Sequence, residues 1–212
     1  MTGSLNAKVN IPFAGKYLLG GRLAVLNKYR GVADQTEMLA LDEKAVVLAD
    51  DGGEINTAEL KPSAVRTQRY DASNMERREN EITGQRMDYE RLISVEEIHQ
   101  LPLKRLLISA ARRAIKMSEC ETDYFFVFNL PGNETAKVNA NKFAECLVDF
   151  SGNSTELPQP RSEIVIDPRY LFGLLTNIYH WNNAEVGSQY NTRRTPNVLN
   201  RKAQSFLNFL SI

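Results

Sequence analysis

The sequence predicts an α+β protein with two folded parts and a charged connector between them. Short apolar runs alternate with turn residues up to residue 62, charged residues crowd positions 66–92, and strand-like and helix-like patterns follow. We therefore expect an N-terminal domain over residues 1–65 and a connector over 66–92. A C-terminal α+β domain over 93–212, ending in a helix, completes the predicted organisation.

The composition is that of an ordinary globular protein. The chain has 212 residues, of which 42% are hydrophobic, and 26 basic residues balance 26 acidic ones. Binding to nucleic acid or to an anionic membrane therefore requires a local basic patch. We see no secretory signal and no apolar run near the roughly 18 residues of a membrane span, so we expect a cytoplasmic protein. The two cysteines, Cys120 and Cys146, are expected to be reduced and mostly buried.

Residues 15–62 predict a small, strongly bent antiparallel barrel of four or five strands. Apolar runs at 23–26, 38–41 and 45–49 alternate with turn residues. The Asp-Gly-Gly sequence at 51–53 permits positive φ and predicts that 45–49 pairs with 54–57 as a hairpin. This order of glycine, strands, turns and hairpin resembles the SH3-like barrels of the Tudor and KOW kind over about 48 residues.

The connector is predicted from its charge pattern. Between residues 66 and 92, six arginines face six acidic residues, and aliphatic residues almost vanish. Such a stretch is typical of a solvated helix or linker, and Gly84 interrupts any long helix.

The first half of the C-terminal domain begins with helix signals. Ser94 and Glu97 have the spacing of a reciprocal helix cap, and Pro102 ends that short helix or opens the next. Residues 103–117 then repeat apolar side chains at three- and four-residue steps, which predicts a helix with one buried face. The other face collects the basic residues Lys104, Arg105, Arg112, Arg113 and Lys116.

Strands and helices then alternate to the end of the chain. We expect a buried strand at 124–130, a turn at 131–133, a returning strand at 135–139 and a short helix or strand at 140–149. A surface loop at 151–162 precedes a strand at 163–167 and a helix that starts at Pro168. An irregular polar segment leads to a last helix, capped by Asn197 or Asn200, whose apolar side chains dock on the core.

Polar chemistry is concentrated in residues 179–194, and three interpretations remain open. In a catalytic one, His180 is a general base, Glu185 orients it and Arg193 holds an anionic substrate. In a structural one, Asn182, Asn183 and Gln189 bind the backbone of an irregular segment that Trp181 anchors in the core.

The third interpretation is a recognition surface. From Val186 to the last residue the chain has four basic residues and no acidic one, and aromatic residues lie nearby. Basic and aromatic side chains together bind phosphates and stack on bases. The basic face of the 103–117 helix extends this patch if both face the same way. The expected binding residues are Trp181, Asn182, Asn183, Tyr190, Arg193, Arg194, Arg201 and Lys202.

The sequence carries no motif for a metal or another cofactor, and we expect neither. Neither histidine has a ligand-spaced partner, and the two cysteines are 26 positions apart. We find no Gly-rich phosphate loop and no Gly-x-Ser-x-Gly elbow. His99 lies in the capped helix that begins near Ser94, where a surface or packing role is expected.

The last 46 residues resemble the closing segment of a group of phage and prophage proteins, some of which carry a metallo-β-lactamase-like description. The matching residues are Asp167, Pro168, Arg169, Tyr170, Leu171, His180, Trp181, Asn182, Asn183, Ala184, Glu185, Gly187, Arg194 and Pro196. The resemblance implies a phage or mobile-element origin, and thus a host-cell cytoplasm. The His-x-His-x-Asp-His signature of that fold is missing, so the resemblance does not imply dinuclear-metal hydrolysis here.

These observations favour a non-enzymatic binding protein of phage type. It engages nucleic acid or a host protein through the C-terminal basic and aromatic surface. One alternative is a small hydrolase that uses His180 and Glu185. The other is a structural homo-oligomer in which the segment 66–92 crosses between subunits.

Overall fold

The computed structural model describes residues 7–12, 18–29, 35–48, 54–62, 72–151 and 157–212. The chain divides into two compact units, Met1–Gln85 and Arg86–Ile212. The division falls inside the predicted connector, and the domain boundaries at residues 65 and 92 stay predictions. The mixed α+β class is confirmed.

The N-terminal unit combines helical turns with a minimal sheet. Two 3₁₀ segments, Gly21–Tyr29 and Gln35–Ala40, precede the antiparallel strands β1 (Ile55–Asn56) and β2 (Lys61–Pro62). Helix α1 (Ala72–Thr83) follows and packs against the first 3₁₀ segment. Among the described residues of the N-terminal unit, the buried apolar ones are Leu19, Ala24 and Val47.

Two of the predicted strands in this unit are wrong. Residues 23–26 lie in the first 3₁₀ segment, and residues 38–40 lie in the second. A run of four apolar residues is too short to show whether its period is that of a strand or that of a helical turn. Leucine and alanine, which dominate both runs, also have high helix propensity.

The predicted hairpin is also not formed as expected. Strand β1 pairs with β2, and the intervening turn is closed by the Asn56 side chain, whose oxygen accepts from the backbone N–H groups of Ala58 (2.9 Å) and Glu59 (3.2 Å). Ala45 instead forms a parallel bridge with Asn10. Residues 49–53, which contain the Asp-Gly-Gly sequence, lie outside the described residues. The part of this unit that the structure describes has no closed sheet.

The charged segment is helical where it is described. Helix α1 ends at Thr83, immediately before Gly84. Helix α2 (Asp88–Leu92) begins after four intervening residues. In α1, Arg77 and Arg78 both lie within salt-bridge distance of Glu81, at 3.6 and 2.8 Å. These i,i+3 and i,i+4 pairs are exposed to solvent and contribute little stability each.

The helix predicted from residue 103 is confirmed. The backbone N–H of Ser94 donates to the Glu97 carboxylate (2.8 Å) just before a 3₁₀ segment, Glu96–Gln100. Helix α3 (Leu103–Ala114) follows and continues as a 3₁₀ turn, Ile115–Met117. Its buried side chains are Leu103, Leu106, Leu107, Ala110, Ala111 and Ala114. Met117, predicted to share this face, is 55% exposed because the tighter turn rotates it away.

A five-stranded open sheet is the centre of the C-terminal unit. Its strands are β3 (Phe125–Leu130), β4 (Glu134–Asn139), β5 (Val148–Ser151), β6 (Arg161–Ile166) and β7 (Tyr190–Thr195). Their order in the sheet is β5-β4-β3-β6-β7. The central β3–β6 pair is parallel, and the other neighbouring pairs are antiparallel.

The turn between β3 and β4 is formed as predicted. Gly132 and Asn133 both adopt positive φ, at 79° and 59°. Such angles are easy for glycine and tolerated by asparagine, so the two residues reverse the chain within three positions. Residues 140–147 are irregular, and only 148–151 of the ambiguous stretch form a strand.

One face of the sheet is covered by helices. Phe126, Phe128 and Ile164 point to this side and are fully buried. Helices α4 (Pro168–Leu175) and α6 (Arg201–Asn208) join α3 in this layer, and the Phe206 ring of α6 stacks on Phe126 at a centroid distance of 6.2 Å. The strand predicted at 163–167 is present as β6, but it begins at Arg161, inside the predicted loop 151–162. The Pro168 start and the Asn200 cap are confirmed.

Helix α4 is closed by a C-terminal capping motif. It ends at Leu175 because Asn177 adopts the left-handed conformation (φ 61°). The N–H of Ile178 then donates to the carbonyl of Gly173 (2.8 Å), and that of Asn177 to Leu174 (3.2 Å), which is the Schellman arrangement. This closure turns the Tyr179 ring back over Gly173, so that a Cβ at position 173 would lie 2.3 Å from the ring.

A buried polar cluster holds the start of α4 against α2. The Asp167 side chain caps the helix and accepts two hydrogen bonds from the Arg169 guanidinium, at 3.0 and 2.8 Å. Arg169 also donates to the carbonyl of Ile93 (3.3 Å) and lies over the Tyr89 ring. These contacts with Asp167 raise the pKa of Arg169 despite its burial.

Both cysteines are free thiols. Cys120 is buried, as expected, but Cys146 is exposed, because it lies in the irregular chain before β5.

Candidate functional site

The polar segment at 179–194 is mostly regular, which corrects the prediction of an irregular one. It forms helix α5 (Trp181–Val186) and edge strand β7. The sequence does not indicate these elements, because asparagine, threonine and arginine make up seven of their twelve residues and neither a helical nor a strand period is visible. Pairing of β7 with β6, across residues 161–166, orders the second half.

Trp181 is part of the core. Its side chain is 3% exposed, and its Nε1 donates to the carbonyl of Leu210 (2.8 Å). The indole also contacts the rings of Phe128 and Tyr190, with centroid distances of 6.1 and 5.9 Å. A ring enclosed in this way anchors α5 to the sheet and to the chain after α6, and its faces are not open for stacking on a base.

The residues predicted for catalysis are not brought together. His180 precedes α5 and is exposed. The Glu185 carboxylate accepts from Gln204 of α6 (3.2 Å). Among the described residues, no hydrogen bond or salt bridge joins His180 to Glu185 or to Arg193.

Glu185 belongs instead to a small network between α5, β7 and α6. Gln204 donates a hydrogen bond to Glu185 (3.2 Å) and also interacts with Tyr190, whose pKa it lowers. Burial, together with the negative charge of Glu185, raises the pKa of Tyr190 to about 12, against the opposing effects of Gln204 and Arg194. Burial and the Glu185 charge therefore favour the neutral phenol. The hydrogen bond between Gln204 and Glu185 joins α6 to α5 across 19 positions of the sequence.

The two adjacent arginines of β7 point to opposite faces of the sheet. Arg193 lies opposite Glu163 of β6 and is exposed, whereas Arg194 lies opposite Ser162, whose hydroxyl is buried against Tyr124. Successive residues of a strand alternate between faces, so the two guanidinium groups cannot act on one ligand surface. The Nε of Arg194 is buried and has no hydrogen-bond partner among the described residues.

The remaining residues of the predicted binding surface are exposed but lie on different elements. Asn182 and Asn183 lie in the first turn of α5, where the Asn182 side chain accepts from the Asn183 N–H (2.9 Å). Arg201 and Lys202 lie at the start of α6. The Lys202 charge helps to lower the pKa of Glu121, after the larger effect of Lys142. The eight predicted residues therefore do not form one continuous basic and aromatic surface.

Two further features of the C-terminal unit have residues suited to binding a ligand. The outer face of α3 and the 3₁₀ turn that continues it present Arg105, Arg112 and Lys116 to solvent, as the helical period predicts. A cavity of about 340 Å³ lies beside the start of α3 and includes His99 in its lining. The cavity could not be found from the sequence, because the β3–β4 turn, which is 30 residues further along the chain, forms one of its walls.

Within the described ranges, no group of three or more histidine, cysteine, aspartate or glutamate side chains is arranged to hold a metal ion. In the same part of the chain, no helix has the length and apolar character that crossing a membrane requires.

Comparison with known proteins gives no relative. No family model matches the chain, and no curated protein or solved structure matches it either.

Proposed function

We propose that the C-terminal unit binds nucleic acid through its phosphate backbone, and that the contact surface is the outer face of α3. We call the three side chains Arg105, Arg112 and Lys116 the basic stripe. The observation that carries the proposal is that these three cations are aligned, exposed and without an acidic partner among the described residues.

The alignment follows from helix geometry. Arg105 and Arg112 are seven residues apart, which is two turns, and Lys116 follows about one turn later. Leu103, Leu107 and the alanines of α3 occupy the opposite, buried face. The basic stripe is therefore about 17 Å long at 1.5 Å per residue. The buried face of α3 packs in the core and fixes the position of the helix that carries the stripe.

The electrostatic surroundings favour an anionic partner. Residues 103–118 include five basic and no acidic residues. Lys104, the neighbour of Arg105, is already paired with Glu134 at 2.7 Å. No described carboxylate lies within salt-bridge distance of the basic stripe, so its charges are not neutralised within the unit.

The spacing suits a sugar-phosphate backbone. Each strand of a duplex carries one phosphate per 3.4 Å of axis, so about five phosphates lie along the length of the basic stripe. Trp181 is buried and Tyr190 is partly buried, so the proposal uses phosphate contacts and no base stacking. Binding of this kind is independent of sequence and strongly dependent on salt.

Helix α6 extends the surface at the Lys116 end. It contacts the 3₁₀ turn that carries Lys116, and it begins with Arg201 and Lys202. Arg113 donates to the Ser211 hydroxyl (2.9 Å) and fixes the chain after α6 beside α3. Lys202 faces Glu121, so we assign the smaller contribution to this part of the surface.

The phage origin, a host-protein partner and the homo-oligomer remain predictions, as does the N-terminal SH3-like barrel. The described part of the N-terminal unit has no closed sheet, so the proposed function depends on the C-terminal unit alone.

The test is fluorescence anisotropy with labelled single- and double-stranded oligonucleotides over a range of salt concentrations. We expect the logarithm of the binding constant for duplex to fall linearly with the logarithm of the salt concentration. Replacing the basic stripe with alanine should lower the magnitude of the slope by about 2.7, because each phosphate that a side chain neutralises contributes about 0.9. The affinity should fall by a similar factor for unrelated sequences.

The matched control removes three arginines whose carboxylate partners are close by: Arg77, Arg78 and Arg91. It changes the net charge by the same amount but should leave the salt slope unchanged. Circular dichroism establishes that both variants are folded. The proposal is abandoned if DNA and RNA both fail to bind at low salt, or if the two triple variants lose affinity equally.

A further inference from the structure

The lining of the cavity beside α3 includes two kinds of residue. Ile98, Leu101, Leu130 and Pro131 are apolar, and together we call them the apolar wall, whereas His99, Lys104, Arg105 and Glu134 are polar or charged. Its volume of about 340 Å³ lies within the range of small-ligand pockets, which are typically apolar with a few polar groups that fix the ligand's orientation.

The polar residues of the cavity lining favour an anion. Lys104 and Arg105 are cationic, and the His99 imidazole donates an N–H bond in either protonation state. Glu134 is the one acidic residue in the described lining, and its carboxylate is paired with Lys104 at 2.7 Å. The lining therefore has a net positive charge and an apolar surface for an uncharged ring.

The cavity and the basic stripe share Arg105. This side chain lines the cavity and is also the first member of the stripe that leads through Arg112 to Lys116. A strand whose phosphates follow the stripe towards the start of α3 therefore reaches a residue that lines the cavity.

We infer that the cavity binds the terminal nucleotide of a nucleic-acid strand that carries a terminal phosphate, an inference that rests on the proposed nucleic-acid binding. The phosphate contacts His99, Lys104 and Arg105, and the base lies against the apolar wall. A terminal phosphomonoester carries nearly two negative charges at neutral pH, whereas each internal phosphate carries one. The cationic residues of the cavity lining therefore distinguish the end of a strand from its interior.

The experiment compares one oligonucleotide in three forms: with a 5′-phosphate, with a 3′-phosphate and with neither. Anisotropy competition at fixed salt gives the ratio of affinities. We expect one phosphorylated form to bind about tenfold more tightly than the unphosphorylated form, which is the effect of about one additional charge-assisted hydrogen bond. The form that is preferred identifies which end enters the cavity.

Two variants test whether the preference arises in the cavity. His99→Ala should reduce the ratio of affinities towards one, because it removes a donor to the terminal phosphate. Glu134→Gln should increase the ratio, because it removes the competing carboxylate and releases Lys104. Both side chains are at the surface, and fluorescence of the buried Trp181 reports whether each variant is folded. Arg78→Ala, in the N-terminal unit, is the control and should leave the ratio unchanged.

The outcomes separate the two proposals. Equal binding of all three forms overturns the cavity assignment and leaves backbone binding by the stripe intact. A preference that survives His99→Ala and does not respond to Glu134→Gln also overturns it. Absence of binding by all three forms overturns the proposed function, and the cavity assignment with it.

Discussion

Replacing Gly173 with alanine should destabilise the C-terminal unit, although the same change stabilises most helices. A glycine inside a helix costs about 0.5–1 kcal/mol relative to alanine. Here the new methyl carbon would lie 2.3 and 2.5 Å from two carbons of the Tyr179 ring. The ring has little room to move, because it stacks on Tyr170 at a centroid distance of 4.6 Å and the Schellman closure fixes its backbone.

The magnitude follows from these two opposing effects. Overpacking of a core costs about 1–3 kcal/mol, which exceeds the gain from helix propensity. We therefore expect a net loss of about 1–2 kcal/mol in the free energy of unfolding. Urea unfolding followed by the fluorescence of Trp181, the single tryptophan, measures this loss in the C-terminal unit. The midpoint should fall by roughly 0.5–1 M at ordinary urea m-values.

The same substitution in a protein without the Tyr179 ring tests whether contact with that ring causes the loss of stability. In a Tyr179→Ala protein the ring is gone, so Gly173→Ala should raise the free energy of unfolding by about 0.5–1 kcal/mol. The opposite signs in the two backgrounds would measure the coupling between positions 173 and 179. If Gly173→Ala stabilises the protein that retains Tyr179, the close approach of ring and backbone is refuted.

Three further predictions concern the same unit. Trp181→Phe should cost about 1–3 kcal/mol of unfolding free energy, because it leaves the buried Leu210 carbonyl without its donor, and circular dichroism in urea measures it. Unchanged stability would show that the indole bond is not needed. Burial raises the pKa of both Tyr170 and Tyr190 to about 12, so their contribution to stability is complete below pH 10 and is lost as the pH rises from about 10 to 12. Ultraviolet titration should show tyrosines that ionise late, and one fewer of them in Tyr190→Phe; a titration curve that Tyr190→Phe leaves unchanged in its late part would contradict this. Asn200→Ala should cost about 1 kcal/mol, because the Asn200 side chain caps α6, whereas Asn197→Ala should leave thermal stability unchanged.

The sequence predicts the C-terminal unit better than the N-terminal one for a physical reason. The apolar residues of α3 repeat over 12 positions, and the aromatic run of β3 is too long and too β-prone for a loop. The runs at 23–26 and 38–41 contain four residues each, which leaves their conformation to tertiary contacts. Those contacts include the Asn27 side chain, which binds both backbone groups of Leu19 at 2.9 Å and has no signature in the sequence.

The candidate site is also only partly predictable from the sequence. The basic face of α3 is predictable, because a helix of known period assigns each residue to a side. The environment of Arg193 and Arg194 is not, because it depends on recognising β7 as a strand, and that strand is ordered by its partner β6. Trp181 anchors its segment in the core, as the structural interpretation predicts, and this burial conflicts with its inclusion among the binding residues.

The alternation of faces along β7 limits how this region tolerates changes in length. Residues 187–189 join α5 to β7, and one residue inserted or deleted there would shift the strand against β6 by one position. Arg193 would then turn towards the helix layer, and Tyr190 would turn away from Trp181. Substitutions at exposed positions of β7 should therefore be tolerated more readily than a single insertion in the linker that precedes it.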